Sequence, residues 1–418
     1  MVSFANLVAE IMCRYFIFFC FISIIEISLA QPAYVWIERG TEHFNKKAFS
    51  DAILDFDNAV KADPKSSSAL CFRARCKQAL NKKDEALVDF NNAVKNASKE
   101  YTPYFYRAQY FEQSNKPNDA IADYDAAIKL NPKNAESHIN KGFLLVSLMK
   151  QGDAELDFDE AIKLGTRNAK VYVGKASIAK EKNKIDVAIT NYSKAIELDA
   201  NAPESYFFRG ELYFQQKKYK EAIIDLNNAS NKNYKSEKLY NLRAQAYIKQ
   251  NNYDAALADL SVLMTTYKSK DVEVYYYSGF AKFLKNDWGG AAKDYSKAIS
   301  YKPTYAEAIL ERGKCYLMIG KQKYQMAQMD FMQVLKLKND NEEAAFGIGK
   351  IFFETNKNEQ AIEYFSKSIK QLPNAETYYL RSKCFYKMQK TKECCNDLEL
   401  AAKLGSKDAE KDIKFVCK

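Results

Sequence analysis

Small residues recur along this chain at a fixed spacing of 34 residues, and this periodicity limits the possible folds more than any other feature of the sequence. Three separate columns keep the spacing: Ala52, Ala86, Ala120, Ala154, Ala188, Ala222 and Ala256; Ala59, Ala93, Ala127, Ala161, Ala195 and Ala229; Gly40, Ala74, Ala108, Gly142, Ala176, Gly210 and Ala244. The phase slips by one residue at Gly279 and Ala291, and the pattern then continues to Cys394. A period of this length is typical of repeat proteins, in which each repeat packs only on its neighbours.

Each repeat contains the pattern of two helices. Large side chains such as Phe56, Phe90 and Tyr124 follow the first alanine column by four residues. In the stretch 118–132 apolar residues recur at three- and four-residue spacing until Asn131 and Pro132 end the run. Such spacing is typical of an amphipathic helix, and proline cannot continue one. We therefore predict about eleven helix pairs, in which small residues let the backbones approach.

These places in the repeat resemble the tetratricopeptide repeat family. Small residues stand at the eighth, twentieth and twenty-seventh places, and aromatic residues at the fourth and eleventh, as Tyr206, Gly210 and Tyr213 illustrate. The resemblance covers roughly residues 33–406 and departs in the ninth repeat, where about two extra residues around 321–325 predict a longer turn. It implies an all-α fold, a right-handed α-solenoid (superhelix) of helix pairs over residues 31–408, with a short capping helix at residues 409–418.

The first thirty residues differ from the repeats. Arg14 precedes an apolar run of about eleven residues, and Ser28 and Ala30 are small, as a signal peptidase requires. We expect residues 1–30 to be a signal peptide cleaved after Ala30, which places the repeats in the secretory pathway, in the lumen of the endoplasmic reticulum or outside the cell. The alternative is an uncleaved membrane anchor formed by residues 15–29.

Charged residues also keep the repeat period. A cationic column contains Arg39, Arg73, Arg107, Lys141, Lys175, Arg209, Arg243, Arg312 and Arg381, and an acidic column contains Asp55, Asp89, Asp123, Asp157, Asp225, Asp259, Asp294, Asp330 and Asp397. The tenth repeat has Ile348 and Tyr364 in place of both partners. This joint loss predicts structural pairing of the two columns, with the ion pairs formed between neighbouring repeats.

The residues that carry catalysis or hold metals are scarce. His43 and His138 are the two histidines, and both fall where other repeats carry aromatic residues, so we expect them to be packing residues. No phosphate-binding glycine loop or Cys-x-x-Cys pair is present, so the sequence predicts no enzyme, no cofactor and no metal site. Cys384, Cys394, Cys395 and Cys417 crowd the last repeat, where either disulfides or small apolar packing would account for them.

Aromatic residues on the first helices form the candidate binding surface. The fifth place of these helices should face the groove of the solenoid, and its bulkiest aromatic residues are Phe105, Phe207 and Tyr276. The next residue is also aromatic in each of these repeats, namely Tyr106, Phe208 and Tyr277. An aromatic wall suits a protein or peptide partner, although packing within the array would account for part of it. The two-carboxylate clamp of some family members, built from Lys, Asn and Arg, is not completed by any three consecutive repeats.

Three functions remain open from the sequence. The first is an interaction scaffold or adaptor that binds a polypeptide partner in the groove. The second is a lumenal co-chaperone that holds unfolded clients without a J domain, and the third is a membrane-anchored import receptor. The net charge of +10 is spread over the whole length, which disfavours a nucleic-acid partner, and nothing indicates a small-molecule substrate or an oligomeric state.

Overall fold

The computed structural model describes residues 31–417, so the predicted signal peptide or anchor at residues 1–30 lies outside the described part. Within the described part the chain forms 23 α-helices and one 3-10 turn, and no strand. Eleven helix pairs and one final helix account for this number. The chain divides into two compact units, Met1–Ala200 and Asn201–Lys418.

The first unit contains repeats one to five. Its helices are α1 Ala33–Asn45 and α2 Phe49–Ala62, α3 Ser67–Ala79 and α4 Lys83–Asn96, α5 Thr102–Gln113 and α6 Pro117–Leu130, α7 Ala135–Ser147 and α8 Gln151–Lys163, and α9 Ala169–Glu181 and α10 Ile185–Leu198. The two helices of each pair pack along each other, and each second helix packs on the first helix of the next repeat in this unit.

The second unit contains repeats six to eleven and the last helix. Its helices are α11 Pro203–Gln215 and α12 Tyr219–Asn231, α13 Glu237–Lys249 and α14 Tyr253–Thr265, α15 Val272–Leu284 and α16 Trp288–Tyr301, α17 Ala306–Ile319 and α18 Tyr324–Leu337, α19 Glu342–Glu354 and α20 Asn358–Gln371, α21 Ala375–Lys387 and α22 Thr391–Lys403, and α23 Lys407–Val416. Helix α23 packs on α22, where a further repeat would otherwise begin.

The alanine and glycine columns lie where helices approach most closely. Ala52, Ala86 and Ala120 are fully buried, as are the large side chains Phe56 and Phe90 that follow them. The small residues of the first helices lie against these rings, so that a larger residue would collide with them. This interlocking of small and large side chains explains the 34-residue period, and the predicted all-α fold of tetratricopeptide helix pairs is confirmed.

The turn between the two helices of a repeat contains one residue in the left-handed region. Asparagine most often holds this place, as at Asn81, Asn115 and Asn183, because its side chain tolerates positive φ better than most. The ninth repeat differs, since Gly320 has φ +109° and a 3-10 turn at Lys321–Lys323 precedes α18. The longer turn predicted for this repeat is thereby confirmed.

The cationic and acidic columns pair, but the predicted partner was wrong. The main ion pair joins the two helices of one repeat: Arg73 donates to Asp89 through Nε at 2.8 Å and through Nη2 at 2.6 Å. The remaining nitrogen, Nη1, reaches back to Asp57 of the preceding repeat at 2.7 Å. Because Nε and Nη2 face the second helix of the same turn, the fork of the guanidinium closes within the repeat, and only its third nitrogen is left to join neighbours.

Candidate functional site

First helices form the inner wall of each unit. First helices of neighbouring repeats contact each other directly, for example α3 with α5 and α17 with α19. Second helices of neighbouring repeats show no comparable contact within the described residues. Consecutive first helices are therefore closer together than consecutive second helices, so each unit curves with its first helices inside.

The six aromatic residues predicted for this wall form three pairs of the same geometry. Neighbouring rings meet edge to face in each: the centroids are 5.3 Å apart for Phe105 and Tyr106, 5.2 Å for Phe207 and Phe208, and 5.7 Å for Tyr276 and Tyr277. Edge-to-face contact is a favourable arrangement for aromatic rings. Each pair is thus held by its own contact as well as by the repeats beside it.

The fifth-place rings are turned toward the packing of the array. Phe207 is buried, with 2% of its surface exposed, because Tyr234 from the turn before α13 stacks on it at 4.6 Å. Tyr276 contacts Tyr305 at 5.5 Å, and Phe105 contacts Tyr124 at 6.0 Å, although both remain partly exposed. Phe207 is therefore out of reach of a partner in this conformation, whereas the other two present part of a ring.

The sixth-place rings face the preceding repeat and stay partly exposed. Tyr106 lies near Phe72 of the second repeat, and Tyr277 packs against the seventh repeat beside Ile248. Phe208 packs at the edge of the cluster around Leu226. These rings offer accessible apolar surface on the inner wall of each unit.

Sequence reasoning missed a recess of about 260 Å³ beside Tyr106. It is lined by Phe44, Phe49, Arg75, Gln78, Ala79, Tyr106, Gln109 and Gln113. The guanidinium of Arg75 lies 3.9 Å from the ring centroid of Tyr106 and 4.5 Å from that of Phe44. The sequence signal was a cation at the ninth place of a first helix, outside the periodic cationic column.

A second recess of the first unit has the opposite charge. Its volume is about 370 Å³, and its lining includes Glu112, Glu136, Asn140 and Lys170. The hydroxyl of Tyr124 donates to Glu112 at 3.0 Å, and burial together with this carboxylate raises the pKa of the Tyr124 phenol. The inner wall of the first unit therefore contains a basic recess followed by an acidic one.

The two histidines do more than fill space, contrary to the prediction. Nδ1 of His138 lies 2.8 Å from Asp157 Oδ1, and Nδ1 of His43 lies 2.9 Å from Asp55 Oδ2. Both aspartates belong to the acidic column, because an imidazole near the column can bond the same carboxylate as the cation. Within residues 31–417 no group of His, Cys, Asp and Glu side chains is arranged to hold a metal ion.

The cysteines of the last repeat divide between the two roles left open. Cys395 and Cys417 form a disulfide that ties α22 to the end of α23. Cys394 and Cys384 are buried free thiols that occupy places of the small-residue columns. Both disulfide formation and apolar packing therefore occur here.

Comparisons with known proteins identify the repeats. Family models match three stretches: anaphase-promoting complex, cyclosome, subunit 3 at residues 181–262, TPR repeat at 108–148, and tetratricopeptide repeat at 343–375. No curated protein sequence matches the chain. Among the helices of residues 31–417, none has the length and apolarity needed to cross a bilayer.

Solved structures with the same kind of fold match at low identity. YrrB, described as a TPR protein with an unusual peptide-binding site, is 22% identical, and the match covers 45% of this chain and 95% of YrrB with a TM-score of 0.41. A tetratricopeptide repeat protein from Parabacteroides merdae is 18% identical over 60% of this chain and 100% of its own, with a TM-score of 0.43. Yeast Tom70 is 15% identical over 86% and 96%, with a TM-score of 0.36.

Proposed function

We propose, because the chain belongs to the tetratricopeptide repeat family, that it is a non-catalytic scaffold that holds an extended segment of a partner protein. Proteins with these repeats bind protein or peptide partners in general. The inner wall of first helices is the surface we assign to that role. One observation carries the assignment: Tyr106, Phe208 and Tyr277 leave part of their rings exposed on that wall.

Aromatic rings of this kind make good anchors. They add large apolar contact area for few rotatable bonds, and truncating a central anchor often costs 2 kcal/mol or more, an order-of-magnitude value. The two recesses of the first unit place charged and amide groups beside this apolar surface. Apolar anchors combined with a few directed polar groups suit a peptide in an extended conformation.

The compartment in which the scaffold works is part of the proposal. We propose that it works in the secretory pathway, in the lumen or outside the cell. The disulfide between Cys395 and Cys417 supports this assignment, because disulfides persist in oxidising compartments and are rare in the cytosol.

Site-specific photo-crosslinking tests the binding surface. A photoreactive phenylalanine analogue replaces Phe208 or Tyr277 on the inner wall, and Ile224 on the second helix α12 in a matched control. Ile224 is 61% exposed and apolar, so it reports on the outer face of the same unit. We expect one partner to be cross-linked from positions 208 and 277 in the native cells and not from 224. Cross-linking from 224 alone would place the binding surface on the second helices and overturn the proposal.

A further inference from the structure

We infer that Arg75 is the docking point for the carboxylate of an aspartate or glutamate side chain within the partner segment. This inference rests on the proposed function, since it assigns a chemistry to one place on the proposed binding surface. The argument depends on three observations: how Arg75 is held, what it does not contact, and what surrounds it.

Arg75 is held by aromatic rings of three successive repeats. Its guanidinium carbon lies 4.5 Å from the ring centroid of Phe44, 5.3 Å from that of Phe72 and 3.9 Å from that of Tyr106. These contacts attract the cation electrostatically and restrict its side chain. A ligand that binds here therefore meets an ordered guanidinium, and less conformational freedom is lost on binding.

No carboxylate of the described residues pairs with Arg75, and none of its nitrogens takes part in a hydrogen bond there. Arg73, two residues earlier, bonds both Asp89 and Asp57. The acidic residue Glu100, which influences the adjacent Cys71, is bonded to the hydroxyl of Ser67 instead. An ordered, partly buried guanidinium without a counter-charge is a site for an anion, because a carboxylate can accept two parallel hydrogen bonds from it.

The surroundings favour a singly charged carboxylate over a phosphate. Arg75 is the only cationic residue that lines the recess in the described structure, and its polar neighbours are the amides of Gln78, Gln109 and Gln113. A phosphoryl group carries nearly two negative charges and is usually met by several cations. One guanidinium beside neutral amides matches the single charge of a carboxylate.

The amides also favour an acidic side chain over the end of a chain. Gln78 Nε2 donates to Gln113 Oε1 at 2.7 Å, which leaves the Gln78 oxygen and the Gln113 amide group for other bonds. No printed hydrogen bond within residues 31–417 uses the amide of Gln109. Donors and acceptors thus lie on more than one side of Arg75. A peptide that continues past its acidic residue can use them, whereas a peptide that ends there cannot use all of them.

Selection from a library of random 12-residue peptides tests the inference with the chain from residue 31 onward. The targets are the wild type, Arg75→Met, Arg75→Glu and, as a matched control, Arg167→Met. Arg167 is exposed in a turn of the same unit, so its replacement removes one charge outside the recess. We expect wild type and Arg167→Met to enrich one internal Asp or Glu, Arg75→Met to lose that enrichment, and Arg75→Glu to favour Lys or Arg at that position.

Synthetic versions of a selected peptide complete the test. Replacing its acidic residue by the matching amide should weaken binding about tenfold or more to wild type and less than twofold to Arg75→Met. Enrichment of a free C-terminal carboxylate, or tighter binding of a phosphoserine version, would overturn the assignment. So would selection of apolar peptides with no acidic position, which would leave the scaffold proposal standing. If the wild type selects no peptide, the scaffold proposal fails together with the inference.

Discussion

Arg107 donates two hydrogen bonds to the carboxylate of Asp123, at 2.7 Å from Nε and 2.8 Å from Nη2, and a third from Nη1 to Asn91 at 2.9 Å. Asp123 belongs to the same repeat and Asn91 to the preceding one. Arg243 repeats the arrangement with Asp259 and Asn227. The cationic column thus joins the two helices of a repeat and links that repeat to its neighbour.

Replacing Arg107 by alanine should destabilise the first unit by about 3 kcal/mol. The side chain of Asp123 is only 8% exposed, so it would lose the guanidinium while remaining out of water. Chemical denaturation followed by circular dichroism measures the loss. Binding of a selected peptide should change by no more than a few-fold, since the pair lies between helices.

Lys163→Ala is the control for that experiment. Lys163 pairs with Glu160 at 2.9 Å, but both side chains are largely exposed, at 71% and 43%. Exposed pairs of this kind contribute about 0.5 kcal/mol or less. Equal losses for Arg107→Ala and Lys163→Ala, or lost peptide binding at unchanged stability, would show that the cationic column is not structural.

The fold was predictable because the packing repeats with the sequence. Each alanine of a column meets the same neighbours as the alanine 34 residues away, so one physical constraint is written in the chain many times. The pairing partner of the arginines was not predictable in the same way. Columns that share one period have the same spacing to partners in their own repeat and in the next, and only the geometry of the turn decides between them.

Gly347→Ala should destabilise the second unit. A Cβ atom at Gly347 would lie 2.4 Å from Cε2 of Phe331, a ring that is fully enclosed between repeats nine and ten. Overpacking of this kind costs about 1–3 kcal/mol. Urea denaturation of the purified variant measures the effect.

Gly152→Ala provides the opposite expectation on helix α8. No atom lies within 4 Å of a Cβ placed there, so alanine should raise stability by about 0.5–1 kcal/mol through its helix propensity. If both alanine variants shift stability in the same direction, the close approach at Gly347 is not what limits its side chain.

Met149 should be replaceable with a gain in stability. It has φ +60° in the turn between α7 and α8, and its side chain is 80% exposed. Asparagine adopts this conformation more readily, as it does at the same turn of other repeats. Met149→Asn should therefore add about 0.5–1 kcal/mol to the unfolding free energy. Met149→Ala keeps the backbone strain while removing the exposed side chain, and a gain of the same size there would refute the backbone explanation.

The candidate site was only partly predictable, because its details depend on residues outside the periodic columns. Phe207 occupies the expected place, yet Tyr234 covers it from a turn whose residue varies between repeats. The recess at Arg75 combines rings from three repeats, none of which is distinctive by itself. Periodicity identifies what all repeats share, whereas binding specificity arises from what one repeat does differently.

Alkaline pH should destabilise the second unit through Tyr276. Burial raises the pKa of its phenol to about 12, above the ordinary value of about 10. Because the folded state holds this proton more tightly, its stabilising contribution is complete below pH 10 and is lost as the pH rises through 12. Tyr276→Phe should lose less stability than wild type between pH 9.5 and 11.5. Tyr386→Phe, which changes a 62% exposed ring, should follow the wild type; identical curves for all three proteins would exclude Tyr276 as the group involved.

The disulfide between Cys395 and Cys417 should hold the last helix on the array. The bond spans 22 residues, and closing a loop of that length stabilises a fold by about 3 kcal/mol in the chain-entropy description. Helix α23 covers Leu398 and Ala401, which are buried beneath it. In Cys395→Ser we expect α23 to detach more often, so that limited proteolysis cleaves first between residues 404 and 417. Cys394→Ala keeps the disulfide and the small side chain, and its cleavage pattern should match that of the wild type. Cleavage of Cys395→Ser at the wild-type rate would mean that apolar packing alone fixes α23.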